Sequence, residues 1–130
     1  MKTLLPPGWP RPKGYANGVS ARGRMVFTAG VVGWNEQEEF EAADLAGQFR
    51  QVLRNILAIL AEDGAGPEHL VRLTCYVTSR DDYVASLPEI GAAWRELMGR
   101  NFPAMAVVEV SALVEPAARV EIEATAMVPD

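Results

Sequence analysis

The side chains able to do chemistry in this chain are few and far apart. Cys75 is its only cysteine and His69 its only histidine, and together they fall short of the four ligands that a zinc site takes. Cys75 alternates with Val71, Leu73 and Val77, so extended backbone puts its thiol on an apolar face, where it packs as a small hydrophobe and is no nucleophile. His69 lies in the turn Pro67-Glu68-His69-Leu70 and reads as a surface residue. Gly14 to Gly18 is no phosphate loop, because it leads into a strand and lacks the lysine and helix such a loop needs. What remains is a group of carboxylates, Glu109, Glu121 and Glu123, in strand-like text, with Arg72 as a cation in similar text. Carboxylates so placed can position a water or move a proton, and an arginine can grip a carboxylate through two parallel hydrogen bonds. The plainer reading gives Arg72 a structural role, pairing it with Glu109 or Glu123 where identical subunits meet.

Elements must hold these groups. Residues 1–13 contain Pro6, Pro7, Pro10 and Pro12 and are read as an irregular arm, with a single domain over 14–130. Tyr15 to Arg22, a turn at Arg22-Gly23-Arg24, and Met25 to Val32 predict a hairpin. Asp44 caps a helix whose apolar residues Leu45, Phe49, Val52, Leu53, Ile56, Leu57 and Leu60 fall on one side, and Gly64 stops it. Val71 to Thr78 alternates as a strand. Ser86 and Glu89 in capping-box spacing, with Pro88 between them, open a second helix whose stripe is Ile90, Ala93, Trp94, Leu97 and Met98. Met105 to Val110 and Arg119 to Met127 complete the chain as strands. The order β-β-α-β-α-β-β predicts an α+β fold, a single mixed sheet with two helices on one face.

A length of 130 residues with 49% hydrophobic content fits one domain with one core. Seventeen acidic against twelve basic residues, a formal charge of −5, argue against nucleic acid and anionic membrane as partners. One cysteine allows no internal disulfide, which fits a reducing compartment. Met-Lys-Thr-Leu-Leu-Pro-Pro is no signal peptide, and no stretch approaches the roughly 18 apolar residues of a membrane span. The expected location is the cytoplasm.

Sorting the later strands by parity gives an apolar set, Val71, Leu73, Cys75, Val77, Ala106, Val108, Val110, Val120, Ile122 and Ala124, assigned to the helices. The other set, Arg72, Thr74, Tyr76, Met105, Val107, Glu109, Glu121, Glu123 and Thr125, is too apolar for an ordinary wet face and too charged for a dry core. It suits either a wet interface between identical subunits or a solvated sheet face.

Taken in order, Gly14-Tyr15-Ala16-Asn17-Gly18, Thr28-Ala29-Gly30, Gln48 and Asn55-Ile56 on one helix, Val71-Arg72-Leu73-Thr74-Cys75-Tyr76-Val77, Phe102-Pro103-Ala104 and Val120-Glu121-Ile122-Glu123-Ala124 resemble the RidA family, also called YjgF or endoribonuclease L-PSP. The resemblance runs from about Tyr15 to Val128. It implies a chorismate-mutase-like fold and a homotrimer binding small molecules in clefts between subunits, with no cofactor and no metal. Typical members are hydrolases that convert enamines and imines such as 2-aminoacrylate to a keto acid and ammonia. Such chemistry needs a cation for the substrate carboxylate, a group that places water, and a proton donor for nitrogen.

This chain departs from that pattern. The family's arginine after Phe-Pro-Ala is here Met105, a thioether with no charge and no donor. Ala29 stands where a serine is common, and Val107 where a small or thiol residue is. Glu121 matches the first glutamate of the Glu-Ile-Glu ending and is the expected catalytic group, on the same face as Met105 and Val107. Tyr15 matches the family's tyrosine at the cleft, Trp34 is a candidate wall, and Arg72 a possible replacement cation. Two functions follow as expectations: hydrolytic deamination with altered substrate preference, or a non-catalytic trimer that binds a small metabolite. Ribonuclease or translation-inhibitor activity, which gave the family one of its names, fits the acidic charge poorly.

Overall fold

A computed structural model of the chain describes residues 1–130. Its organising element is the helix α1, Leu45–Ala61. Asp44 accepts a hydrogen bond from the Gly47 backbone N–H at 3.1 Å, and Gly64, at φ 73°, turns the chain after the last turn. Leu45, Phe49, Val52, Leu53, Ile56 and Leu60 are all buried, each contributing about 1.5–3 kcal/mol by leaving water.

Seven strands are present: β1 Lys2–Thr3, β2 Val19–Ser20, β3 Arg24–Phe27, β4 Val31–Val32, β5 Leu70–Val77, β6 Ala104–Glu109 and β7 Val120–Val128. The main sheet has the order β3-β7-β5-β6, with β4 also paired to β7. The β5–β6 pair is parallel and the β7 pairings are antiparallel, so the sheet is mixed. Leu73, Cys75 and Val77 from β5 and Val120, Ile122, Ala124 and Ala126 from β7 are buried against α1 and its neighbour α3, Leu87–Met98. The α+β class and the single mixed sheet covered on one face by helices are as the sequence predicts.

Four expectations need correction. The segments Tyr15 to Arg22 and Met25 to Val32 form no hairpin with each other: β2 pairs with β1 of the N-terminal arm, and β3 and β4 pair with β7. Three helices are present, not two, because α2, Arg80–Ala85, precedes α3. Ser79 caps α2 by accepting from the Asp82 N–H at 3.1 Å, whereas Ser86 makes no side-chain cap at α3. Val71 falls at a register shift between Leu70 and Arg72, and Leu70 is the residue buried in its place.

The fourth correction concerns β6. Leu73 is registered with Met105 and Cys75 with Val107, and Met105 and Val107 pack against the helix-side core. Ala106 and Val108 are exposed on the other face. Parity failed because it counted Glu109 as the mark of a wet face. Glu109 instead accepts from the Arg80 N–H at 2.7 Å, at the start of α2, where a carboxylate is favoured by the free backbone donors.

Candidate functional site

The expected site residues separate into two groups and two outliers. The first group forms on the open face of the sheet. Between the β3–β7 and β4–β7 pairings the register shifts by one residue, a bulge at Thr28-Ala29-Gly30. The Thr28 hydroxyl accepts from the Ala124 N–H at 3.0 Å and donates to the Ala29 carbonyl at 2.8 Å, which fixes the bulge against β7. Gly30 then lies so close to Glu121 that a Cβ placed on it would stand 2.3 Å from Oε2. Glu121 is half-buried, registered with Tyr76 of β5, and directed away from the helices. Ala29, Gly30 and Glu121 therefore form one corner.

The same face carries Tyr76, whose hydroxyl donates to Glu123 Oε1 at 2.8 Å. That hydrogen bond, then desolvation and the charges of Glu123 and Glu121, raise the Tyr76 hydroxyl above the ordinary tyrosine range. Large apolar side chains also lie here: Met25, Phe27 and Val108 are 53%, 61% and 45% exposed, so this face of the isolated chain is wet and oily at once.

The second group forms on the helix side. Ala16 is bridged to Ala104 and its N–H donates to the Pro103 carbonyl at 3.0 Å, which carries Tyr15 to the start of β6. Tyr15, Met105 and Val107 line a cavity of about 470 Å³ together with residues of α2, α3 and the arm, a size typical of small-molecule sites at about 300–1,000 Å³. Trp94 of α3 stacks on Phe102 in the same lining, ring centroids 6.1 Å apart and planes 8° from parallel. The deep wall is sulfur-rich: Met105 Sδ sits 3.9 Å from the buried Cys75 Sγ. Burial pushes the Cys75 thiol up to about 12 and is the main cause holding the Tyr83 hydroxyl, also in the lining, at about 12. Both groups stay protonated at neutral pH, and Cys75 is packed as the alternation of its strand predicts.

Glu121 and Met105 thus point to opposite faces of one sheet, contrary to the parity reading, and Glu121 does not line the cavity of its own chain. Trp34 is the first outlier. It packs on Phe40 at 5.8 Å, its carbonyl accepts from Asn55 Nδ2 at 2.8 Å, and it does not line the cavity of its own chain. Arg72 is the second: it lies on the open face beside Met25, Phe27 and Thr125 and makes no ion pair within its own chain. His69 has a structural task, accepting from the Gly66 N–H through Nδ1 at 2.9 Å. No group of three or more histidine, cysteine or acidic residues is placed to hold a metal.

Sequence reasoning missed Lys13, Tyr83 and Arg95, which all line the cavity. Only Arg95 left a readable trace, the glycine four residues before it: a Cβ at Gly91 would meet Arg95 Nη1 at 3.3 Å, so the guanidinium folds back over that turn.

No helix is long and apolar enough to cross a membrane. The sequence model for "Endoribonuclease L-PSP" matches residues 10–128. The 2-iminobutanoate/2-iminopropanoate deaminase of Escherichia coli strain K12 is 33% identical over 113 residues, 87% of this chain and 86% of the enzyme. Among solved structures, a Rid-family protein of unknown function from Yersinia pestis, YyfB, is 34% identical with a TM-score of 0.82, covering 98% of each chain. The YjgF gene product of E. coli is 32% identical with a TM-score of 0.71, again over 98% of each. With its sequence matched almost end to end and its fold superposed on crystal structures of the same kind, the chain belongs to the endoribonuclease L-PSP family, the RidA or YjgF family.

Proposed function

We propose that the chain forms a homotrimer and hydrolyses an enamine or imine in clefts between subunits, with Glu121 of one copy facing the Tyr15, Met105 and Val107 wall of the next. The observation that carries this reading is the division of the site. The carboxylate corner and the cavity lie on opposite faces of one sheet, so only two copies can bring them together. The exposed Met25, Phe27 and Val108 on the carboxylate face support it too, since burying them between copies is favourable. A small relative named for iminobutanoate deamination supports the reaction class.

In this reading Glu121 takes a proton from water as it adds to the C=N carbon. The nitrogen of the resulting carbinolamine is then protonated and leaves as ammonia, giving a carbonyl. Tyr15 contacts the substrate. Met105 supplies no cation, so the substrate differs from an imine with a carboxylate on the reacting carbon. The acidic chain with its single reduced cysteine fits a cytoplasmic setting.

The test is complementation. An imine made in place from an arylalkylamine by an amine oxidase is trapped with semicarbazide, and deamination is read as lost semicarbazone. Glu121→Gln and a cavity-blocking Val107→Trp should each be inactive. Subunits refolded together in equal amounts should recover about one quarter of the natural activity, from the hybrid clefts. No recovery, or a monomer by light scattering, refutes the division of the site.

A non-catalytic binding trimer is the second reading, favoured by a deep wall made of a thioether and aliphatic carbon. It predicts ligand binding unaltered by Glu121→Gln and no turnover in any variant. Ribonuclease activity is disfavoured by the formal charge of −5.

A further inference from the structure

The cavity beside Met105 carries a charge opposite in sign to that of the chain as a whole. The chain carries seventeen acidic residues, yet none of the thirteen that line this cavity is Asp or Glu, and two of them, Lys13 and Arg95, are cations. Neither has an ion-pair partner, although four arginine–carboxylate pairs are formed elsewhere in the chain. Both are exposed and so sit at the mouth, whereas Met105 lies deep, in contact with the fully buried Cys75. The Arg95 guanidinium is drawn over Gly91, itself a lining residue. Between mouth and floor the wall is flat and aromatic, with the parallel Trp94 and Phe102 rings. The indole N–H of Trp94, which is 6% exposed, has no acceptor anywhere in the chain, an unusual state for a buried donor.

We infer that Arg95 and Lys13 are the specificity-determining cations of this cavity, and that its ligand is an amphipathic anion: a flat, apolar body against Met105, Val107 and the aromatic wall, with a terminal carboxylate at the mouth. This rests on the reading above only in taking the cavity as the ligand cleft. At the mouth the field favours that class and disfavours amines, because Lys13 and Arg95, with no acid of their own chain in the lining, repel a third cation. The planar guanidinium suits a carboxylate in particular, through paired N–H donors. Its place on the rim of α3, not on the floor at position 105, means that the charged end of the ligand is separated from the group resting on Met105.

The experiment uses the full chain in its natural assembly and three molecules that share one ring: 3-phenylpropionate, 3-phenylpropionamide and 3-phenylpropylamine, each titrated by calorimetry. The carboxylate should bind about tenfold more tightly than the amide, and the amine most weakly. Arg95→Gln should remove about tenfold from the carboxylate and nothing from the amide, and Lys13→Gln about threefold in the same selective way. Both substitutions are on exposed side chains, and circular dichroism checks the fold. Equal binding of carboxylate and amide by the natural chain, equal weakening of both by Arg95→Gln, or no binding of any of the three overturns the inference. Because the readout is binding alone, failure of imine turnover with the carboxylate preference intact sinks the proposed reaction and leaves this inference standing.

Discussion

Replacing Gly30 by alanine isolates the contribution of Glu121. A Cβ there would stand 2.3 Å from Glu121 Oε2, 2.9 Å from Cδ and 3.2 Å from Cγ. Carbon and oxygen need well over 3 Å, so the carboxylate must withdraw by about 1 Å. The backbone has no quarrel with the change, since Gly30 is not among the glycines at positive φ. The obstructing atoms are the far end of a flexible side chain, so the fold yields at little cost, and the stiffer unfolded chain returns about 0.4–1 kcal/mol. A catalytic group moved 1 Å loses on the order of 10²-fold in rate. Gly30→Ala should therefore keep or slightly raise the urea midpoint while turnover of an amine-derived imine falls by about 10²-fold. Gly33→Ala is the contrast: its Cβ would meet the backbone of α1, Gln48 O at 2.6 Å, which cannot swing away, so that variant should lose stability first. Full activity in Gly30→Ala would refute the role of Glu121, and a large loss of stability would show the contact to be structural.

Three further outcomes follow from other parts of the molecule. Met105→Arg should raise activity toward an amino-acid-derived imine by about tenfold or more, because a guanidinium regains the paired grip on a carboxylate; no gain, measured by the same semicarbazone method, counts against the cleft assignment. Gln48, 1% exposed, donates to the Ala42 and Ala117 carbonyls and accepts from the Arg119 N–H at 2.7 Å, so Gln48→Leu should cost about 3 kcal/mol in urea unfolding by stranding buried partners, and a loss under about 1 kcal/mol would refute that account. Cys75 holds its proton up to about pH 12 when folded but loses it near 9 when unfolded; between those values the unfolded state binds fewer protons, so stability falls with rising pH by up to about 1.4 kcal/mol per unit, a slope that should flatten in Cys75→Ala when urea midpoints are compared at pH 8 and pH 10.5.

The helices and central strands could be read because each buries one face against a single core, and a one-sided burial writes a period into the sequence. The 3.6 spacing of α1 and the alternation of β5 and β7 are both traces of this kind. The hairpin was not readable for the opposite reason. Val19–Ser20 and Arg24–Phe27 have strand-forming text and a turn glycine between them, but their backbone partners are the arm and β7, and local propensity carries no record of a partner distant in sequence. Helix α2 is not legible because six residues are too few for a period to show; its only signal is Ser79 with Asp82 three residues on, a cap that competes with many chance matches.

The error at β6 is the one that reshapes the function. Parity sorting rests on a charged residue marking the wet face, and it fails where a charge has a local backbone partner, as Glu109 has in the Arg80 N–H. Turning β6 over takes Met105 and Val107 from beside Glu121 to the far side of the sheet. Were all three on one face, a single chain could hold the whole site and assembly would be incidental to it. With the carboxylate on one face and the cavity on the other, a catalytic reading of Glu121 requires a second copy, and the proposed homotrimer becomes a condition of that chemistry. The same turn leaves the cavity of each chain with no acid of its own, only Lys13 and Arg95, so its preference for an anion is set before any neighbour brings a carboxylate to it.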